Sequence, residues 1–298
     1  MSVTERTVIV LGRAGMLGQM VESYFDCSTY RLKFIDERYS FFERKKFIDA
    51  VAGAGPGFVI NCIGAVPQQT SVEDEFYELN TQLPQDLVNG LRDDQYLIHP
   101  STDCVFDGQY FGKYPVDYPT NARDLYGLSK KLGERALIGR ERVVVVRGSI
   151  LGPDRRAEGG GLLNWFLRHQ AGSSINGFTN HHWNGVTSYQ WCEIVETVIR
   201  DCLSENNVHG VSRLQQSLLL QAGTDRIFSK YQLLCAVQEA FGTEFNITPT
   251  EHAVPIDRTL LPTVVSPSFE SQLDSLRDFS LTLQAYAGTC WRSSVNVV

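Results

Sequence analysis

The hydrophobic positions of this chain come in two rhythms. Short runs at residues 7–12 ("TVIVLG"), 32–36 ("LKFID"), 58–64 ("FVINCIG"), 96–101 ("YLIHPS") and 142–149 ("RVVVVRGS") are nearly continuous in apolar, often β-branched residues. Strands look like this when both faces of a parallel sheet are covered. Longer stretches of helical period separate them, which predicts repeated βαβ units and an α/β fold with a Rossmann-type doubly wound parallel sheet. After Leu151 the regularity breaks, with "GPDRRAEGGG" reading as loop and "NGFTNHHWNG" showing no period. The pattern then returns to the sheet with a helix near 190–203, a strand near 217–222 and a helix opening at Ser229, a candidate N-cap. The expected division is a sheet domain over 1–150, rejoined by 186–240, and a smaller carboxyl-terminal lobe of 151–185 and 241–298.

The junction of the first strand and its helix reads "LGRAGMLG", with Gly12, Gly15, Met16, Leu17 and Gly18 in the turn and first helical residues. Glycines there let the backbone approach a pyrophosphate, and the helix N-terminus offers it free N–H groups. Asp36 closes the second strand 24 residues after Gly12, near the spacing of a carboxylate that binds an adenosine ribose. Arg38, two residues on, could accept a 2′-phosphate or be a solvated charge. The first 150 residues therefore read as an NAD(P)-binding domain taking NADPH or NADH.

In "DLYGLSKKLGERAL" the apolar residues Leu125, Leu128, Leu132 and Ala136 share a helical stripe, and Tyr126 and Lys130 lie one turn apart beside it. An ammonium near a phenol is expected to lower the tyrosine pKa and make it a better general acid. Gly127 and Gly133 are costly in an exposed helix interior, so something must approach that helix closely. Upstream, "HPSTDCVFDG" ends an apolar strand, where open α/β sheets bind ligands, and Ser101 or Thr102 could hold a carbonyl oxygen together with Tyr126.

Composition narrows the partners. The 298 residues carry a formal charge of −7, with no long run of Lys and Arg, which argues against a nucleic-acid partner. The amino terminus lacks a signal-peptide core and no apolar run approaches membrane-spanning length, so a cytoplasmic protein without a membrane partner is expected. The seven cysteines are scattered and never spaced as CxxC, so reduced thiols and no metal site are expected. His181 and His182 stand adjacent on a loop, but no further ligands follow at metal spacing.

The glycine pattern, "STDCVFDG" and "YGLSK", in this order, resemble the extended short-chain dehydrogenase/reductases, and within them the dTDP-4-dehydrorhamnose reductase family. Looser resemblance continues through "GVTS", "IFSKYQLL" and "PIDRTL". The resemblance implies an NAD(P)H-dependent oxidoreductase that reduces a keto group on a nucleotide-activated deoxysugar. It places the catalytic Thr, Tyr and Lys on Thr102, Tyr126 and Lys130, with Lys130 also holding the nicotinamide ribose. It sets Cys62, Ile63, Gly64 and Asn80 beside the cofactor, although Cys62 and Asn80 read equally well as core. Substrate contacts are expected from Asp103, Cys104, Val105, Trp183 and Arg258, with Trp183 as a pocket wall. Arg258 reads either as a diphosphate ligand or as the partner of Asp257 or Glu251. Two alternatives stay open. Cys104 stands at the offset from Thr102 where GDP-fucose synthases carry a cysteine used with a histidine for epimerisation, and His169, His181 or His182 could be that histidine. The chain could also be a non-catalytic binding subunit, like the regulatory subunit of methionine adenosyltransferase. A homodimer is the default assembly.

Overall fold

The computed structural model of the chain describes residues 6–156, 159–203 and 217–287. The parts of the expected domains at 1–5, 157–158, 204–216 and 288–298, with Cys290, lie outside the described residues. The five apolar runs form β1 (Thr7–Leu11), β2 (Arg31–Phe34), β3 (Gly57–Asn61), β4 (Gln95–Ser101) and β5 (Val143–Arg147). They join one seven-stranded parallel sheet in the order β2-β1-β3-β4-β5, continued by Leu218–Gly223 and then Val264–Val265. Burial on both faces explains the unbroken apolar runs. Val8 and Val10 of β1 enter a core with Phe25, Phe58, Trp191 and Phe269, while Ile9 and Leu11 enter a second core with Phe47, Val59, Leu83 and Leu97.

The first helices are α1 (Met16–Asp26), α2 (Arg44–Gly53), α3 (Glu73–Tyr77), α4 (Leu83–Gly90) and α5 (Leu125–Leu137), with a single π turn, Glu78–Gln82, joining α3 to α4. The later helix Lys230–Phe241 starts at Ser229 as expected, through a reciprocal capping box with Gln232. Among the described residues no helix is long and apolar enough to cross a membrane.

The smaller lobe pairs Ser174–Phe178 with Asn246–Thr250, and sets His181–Trp183 between Phe228–Ser229 and Ile256–Asp257. Helix Lys230–Phe241 packs on it. The expected boundary at 241 needs correction. Val264–Val265 pairs with Leu218–Gly223 as the edge of the main sheet, and Phe269, Leu273 and Leu276 of the last helix fill its large core. A two-residue strand has no alternation to read, whereas the i, i+4, i+7 spacing of those three residues was readable.

Candidate active site

Thr102 follows the last residue of β4, and its hydroxyl accepts the Cys104 N–H at 3.1 Å, capping a short 3-10 turn, Asp103–Val105. Opposite it, Asp124 caps α5 by accepting the Gly127 N–H at 2.8 Å, which aims Tyr126 back toward β4. The two costly glycines of α5 have their explanation here. A Cβ on Gly127 would overlap the Cys104 carbonyl oxygen, and one on Gly133 the Asn80 carbonyl oxygen. The helix therefore presses directly on the turn after β4 and on the π turn, and Thr102, whose hydroxyl donates to Asp103 Oδ1 at 3.1 Å, is near enough to Tyr126 to act on its phenol.

Electrostatics depart from the expectation for Tyr126. Burial above all, then the neighbouring Cys104 and Asp103, raises its pKa above the ordinary phenol value, opposed in part by Thr102. Lys130 is not among the main causes of this shift, and its Nζ is engaged elsewhere: it donates to the Pro100 carbonyl at 2.7 Å and lies 3.4 Å from His99 Nε2. Lys130 is 7% exposed, and burial, opposed by Glu134, lowers its pKa to about 8. A phenol that keeps its proton across the working range is a loaded general acid.

At the carboxyl end of β1, on the same edge of the parallel sheet, Gly12 turns at φ +74°, where a Cβ would press on Ile63, and Gly15 N-caps α1. Among the described residues no side chain caps α1 and no acid sits in its first turn, so its N–H groups face outward unpaired by side chains. Gly18 lies so close to the Gly12 carbonyl that a Cβ would overlap it, and Met16 lies against Gly152. These are the dimensions of a diphosphate cradle. β2 ends at Phe34, so Asp36 and Arg38 stand exposed just beyond it. Arg13, not singled out from sequence, lies over the Phe34 ring at 4.9 Å and adds a cation to that rim. Asn80 needs correction. It is 1% exposed, and its amide engages the Ala65 N–H and carbonyl and the Ser129 hydroxyl, so it supports the Gly64–Ala65 backbone instead of facing a cofactor. Cys62 packs at the margin of the large core, where burial raises its thiol pKa.

On the substrate side the structure separates the expected residues. Asp103 and Cys104 lie half-buried in the turn, and Arg258 reaches across from the lobe. Its Nε donates to the Phe106 carbonyl at 3.0 Å, Nη1 to Cys104 Sγ at 3.4 Å and Nη2 to Asp124 Oδ2 at 3.2 Å. Its acidic partner is thus Asp124, neither Asp257 nor Glu251. Val105 is buried with Phe106, Tyr114 and Leu260 in a small third core, and Trp183 is 4% exposed, packed against Phe269 with ring centroids 4.7 Å apart. Neither side chain is a pocket wall, because each is needed to fill a core. Cys104 has no histidine partner among the described residues. Burial, then Asp103, pushes its thiol up to about 12, and His169, His181 and His182 turn instead to the Trp165 carbonyl, the Val254 carbonyl and Asp257.

Sequence reasoning missed the cleft beside this turn. It is about 790 Å³, lined by Gln68, Gly160, Trp165, Arg168, His169 and Lys230 among others, with Trp165 47% exposed. Lys230 joins the cleft to the turn after β4. Burial lowers its pKa while the neighbouring Asp103 and Cys104 raise it. Its place directly after the Ser229 cap, in "IFSKYQLL", was a usable signal. Among the described residues no group of three His, Cys, Asp or Glu side chains could hold a metal ion.

The family model described as the RmlD substrate binding domain matches residues 6–293. Among curated proteins, the chain is 32% identical over 139 residues to a probable dTDP-4,6-dihydroxy-2-methyloxan-3-one 4-ketoreductase of Streptomyces antibioticus, covering 44% of this chain and 46% of that one. It is 30% identical over 134 residues to a dTDP-4-dehydrorhamnose reductase of Streptomyces griseus, covering 44% of each. The matched region thus spans under half the length of these relatives. Among solved structures, a dTDP-4-dehydrorhamnose reductase from Bacillus anthracis in complex with NADP shares the fold at a TM-score of 0.75 and 16% identity, covering 92% of this chain and 99% of that one.

Proposed function

The chain belongs to the family of the RmlD substrate binding domain, and from that premise we propose that it reduces a keto group on a nucleotide-activated deoxysugar, using NADPH or NADH. The observation that carries the reading is the convergence of Thr102, Tyr126 and Lys130 at the carboxyl end of β4, between an uncapped α1 and a basic cleft. The residues present fit a nicotinamide dinucleotide. The glycine turn and α1 would hold its diphosphate, Asp36 or the pair Arg13 and Arg38 the adenosine ribose, and Lys130 the nicotinamide ribose. Bound in its reduced form, that group supplies the hydride that goes to the ketone carbon.

The protein's own part is proton delivery and placement. Tyr126, whose phenol burial keeps protonated, donates its proton to the sugar oxygen as negative charge develops there. Thr102 directs a hydrogen bond to the same oxygen and fixes its position. Lys230, Arg168 and Arg258 bring cationic side chains to the cleft and the turn, suited to the diphosphate of a sugar nucleotide, and Trp165 offers an exposed aromatic face to its base. The curated relatives act, by their names, on dTDP-linked keto sugars, which supports dTDP as the nucleotide.

Oxidation of NADPH and NADH with a panel of dTDP-, GDP- and UDP-linked 4-keto-6-deoxysugars tests the reading. Turnover with a dTDP sugar is expected. Cofactor binding without reduction of any sugar would contradict it and leave a binding subunit.

A further inference from the structure

Lys130 is one member of a longer hydrogen-bond chain. Its Nζ meets two groups from β4, the Pro100 carbonyl at 2.7 Å and His99 Nε2 at 3.4 Å. Pro100 lies past the end of β3, whose register with β4 stops at Ile60 opposite Ile98, so no β3 neighbour competes for its carbonyl. His99 is 1% exposed, and burial, then the charge of Lys130, drives its pKa well below the ordinary value. It is therefore a neutral imidazole, with one ring nitrogen a donor and the other an acceptor.

Which is which follows from its other neighbour. His99 Nδ1 faces the Asn61 Nδ2 amide at 3.2 Å. The Asn61 amide cannot be turned over at no cost, because its Oδ1 already accepts the Ile63 backbone N–H at 3.2 Å, and a backbone N–H can only donate. Nδ1 must then accept and Nε2 must carry the proton, aimed at Lys130 Nζ. An ammonium has no lone pair to receive that proton, whereas an amine has one.

We infer that Asn61 and His99 are positioning residues that fix the imidazole proton on Nε2 and thereby favour the amine form of Lys130 in the ligand-free protein. The groups facing Lys130 are His99 and Pro100 from β4, Tyr126 one turn before it and Glu134 one turn after it on α5. Glu134 and the Pro100 carbonyl favour the ammonium, and the Glu134 carboxylate is shared with Arg147 of β5 and Ser101 of β4. When Nζ takes one proton from water, the imidazole stays neutral but its proton must move from Nε2 to Nδ1, and Asn61 must turn its oxygen toward it, releasing the Ile63 N–H. Ile63 packs on Gly12, so the charge of Lys130 is tied to the glycine turn that would hold the diphosphate.

The inference rests on Lys130 being part of the reductase site, but its test needs no turnover. Histidine tautomers and the lysine side-chain titration are read by NMR in the ligand-free protein, with Lys130 assigned from the signal lost in Lys130→Met. Wild type is expected to show a Lys130 midpoint of about 8, with His99 protonated on Nε2 above that midpoint and its proton passing to Nδ1 as Lys130 becomes charged below it. Asn61→Leu frees the tautomer and His99→Gln presents a carbonyl oxygen, so each should raise that midpoint by about one unit or more. A wild-type His99 still protonated on Nδ1 above the Lys130 midpoint, or an unmoved midpoint in a folded variant, overturns the inference. If neither variant folds, the wild-type tautomer decides. Failure here leaves the reductase reading intact, and failure of the sugar panel leaves this one intact.

Discussion

Burial of Lys130 is costly to the ligand-free fold. Its pKa falls from 10.5 to about 8 on folding, so the folded state holds its proton less tightly than the unfolded chain does. That shift corresponds to a destabilisation of about 3 kcal/mol, present below pH ~8 and vanishing as pH rises through the unfolded value of ~10.5. Lys130→Met is therefore expected to raise the unfolding temperature at neutral pH, to lose that advantage above the unfolded pKa, and to lose turnover throughout. Thermal unfolding across pH checks all three. The i, i+4 spacing of Tyr126 and Lys130 was legible in the sequence. The sign of the Tyr126 shift was not, because it depends on burial under groups distant in sequence, and on Pro100 and His99 engaging the lysine nitrogen that was expected to act on the phenol.

At the scale of elements, α5 is held against the turn after β4 by the absence of a side chain. Gly127→Ala would add about 1 kcal/mol of helix propensity, but its Cβ would meet the backbone carbonyl of Cys104, and overpacking of this kind costs about 1–3 kcal/mol or more. The overlap should win, giving a lower unfolding temperature and a kcat loss larger than any change in cofactor affinity. Arg258 braces the same junction from the lobe. Since it binds Phe106, Cys104 and the Asp124 cap of α5, Arg258→Ala should weaken the sugar nucleotide and lower kcat together, while cofactor affinity measured by titration stays unchanged. The central strands were readable because burial on both faces leaves them nearly continuous in apolar residues. The two-residue edge Val264–Val265 carries no such pattern, and the contacts of Arg258 depend on how the lobe returns over β4.

Across the whole molecule, the two indoles separate the roles of core and cleft. Trp183→Ala should cost about 3–5 kcal/mol because it empties a packed site between Phe228 and Phe269. Trp165→Ala should leave stability nearly unchanged and weaken binding of the nucleotide diphosphate, as denaturant unfolding and calorimetric titration would show. Reading Trp183 as the pocket wall followed from its aromatic loop. Which tryptophan is exposed was decided by strand pairing that its local sequence does not announce. The formal charge of −7 likewise hides a cationic site, since Arg168, Lys230 and Arg258 come together from distant segments.

The central claim is that this site delivers a hydride to a sugar ketone and a proton from Tyr126 to its oxygen. The direct measurement is the fate of deuterium from reduced, deuterium-labelled nicotinamide cofactor incubated with a dTDP-4-keto-6-deoxysugar, for wild type and Tyr126→Phe. Label at the former ketone carbon with wild type, and a rate lower by about 10²–10⁴-fold with Tyr126→Phe, is the predicted result. Product without label at that carbon, or equal rates from the two proteins, would contradict the account.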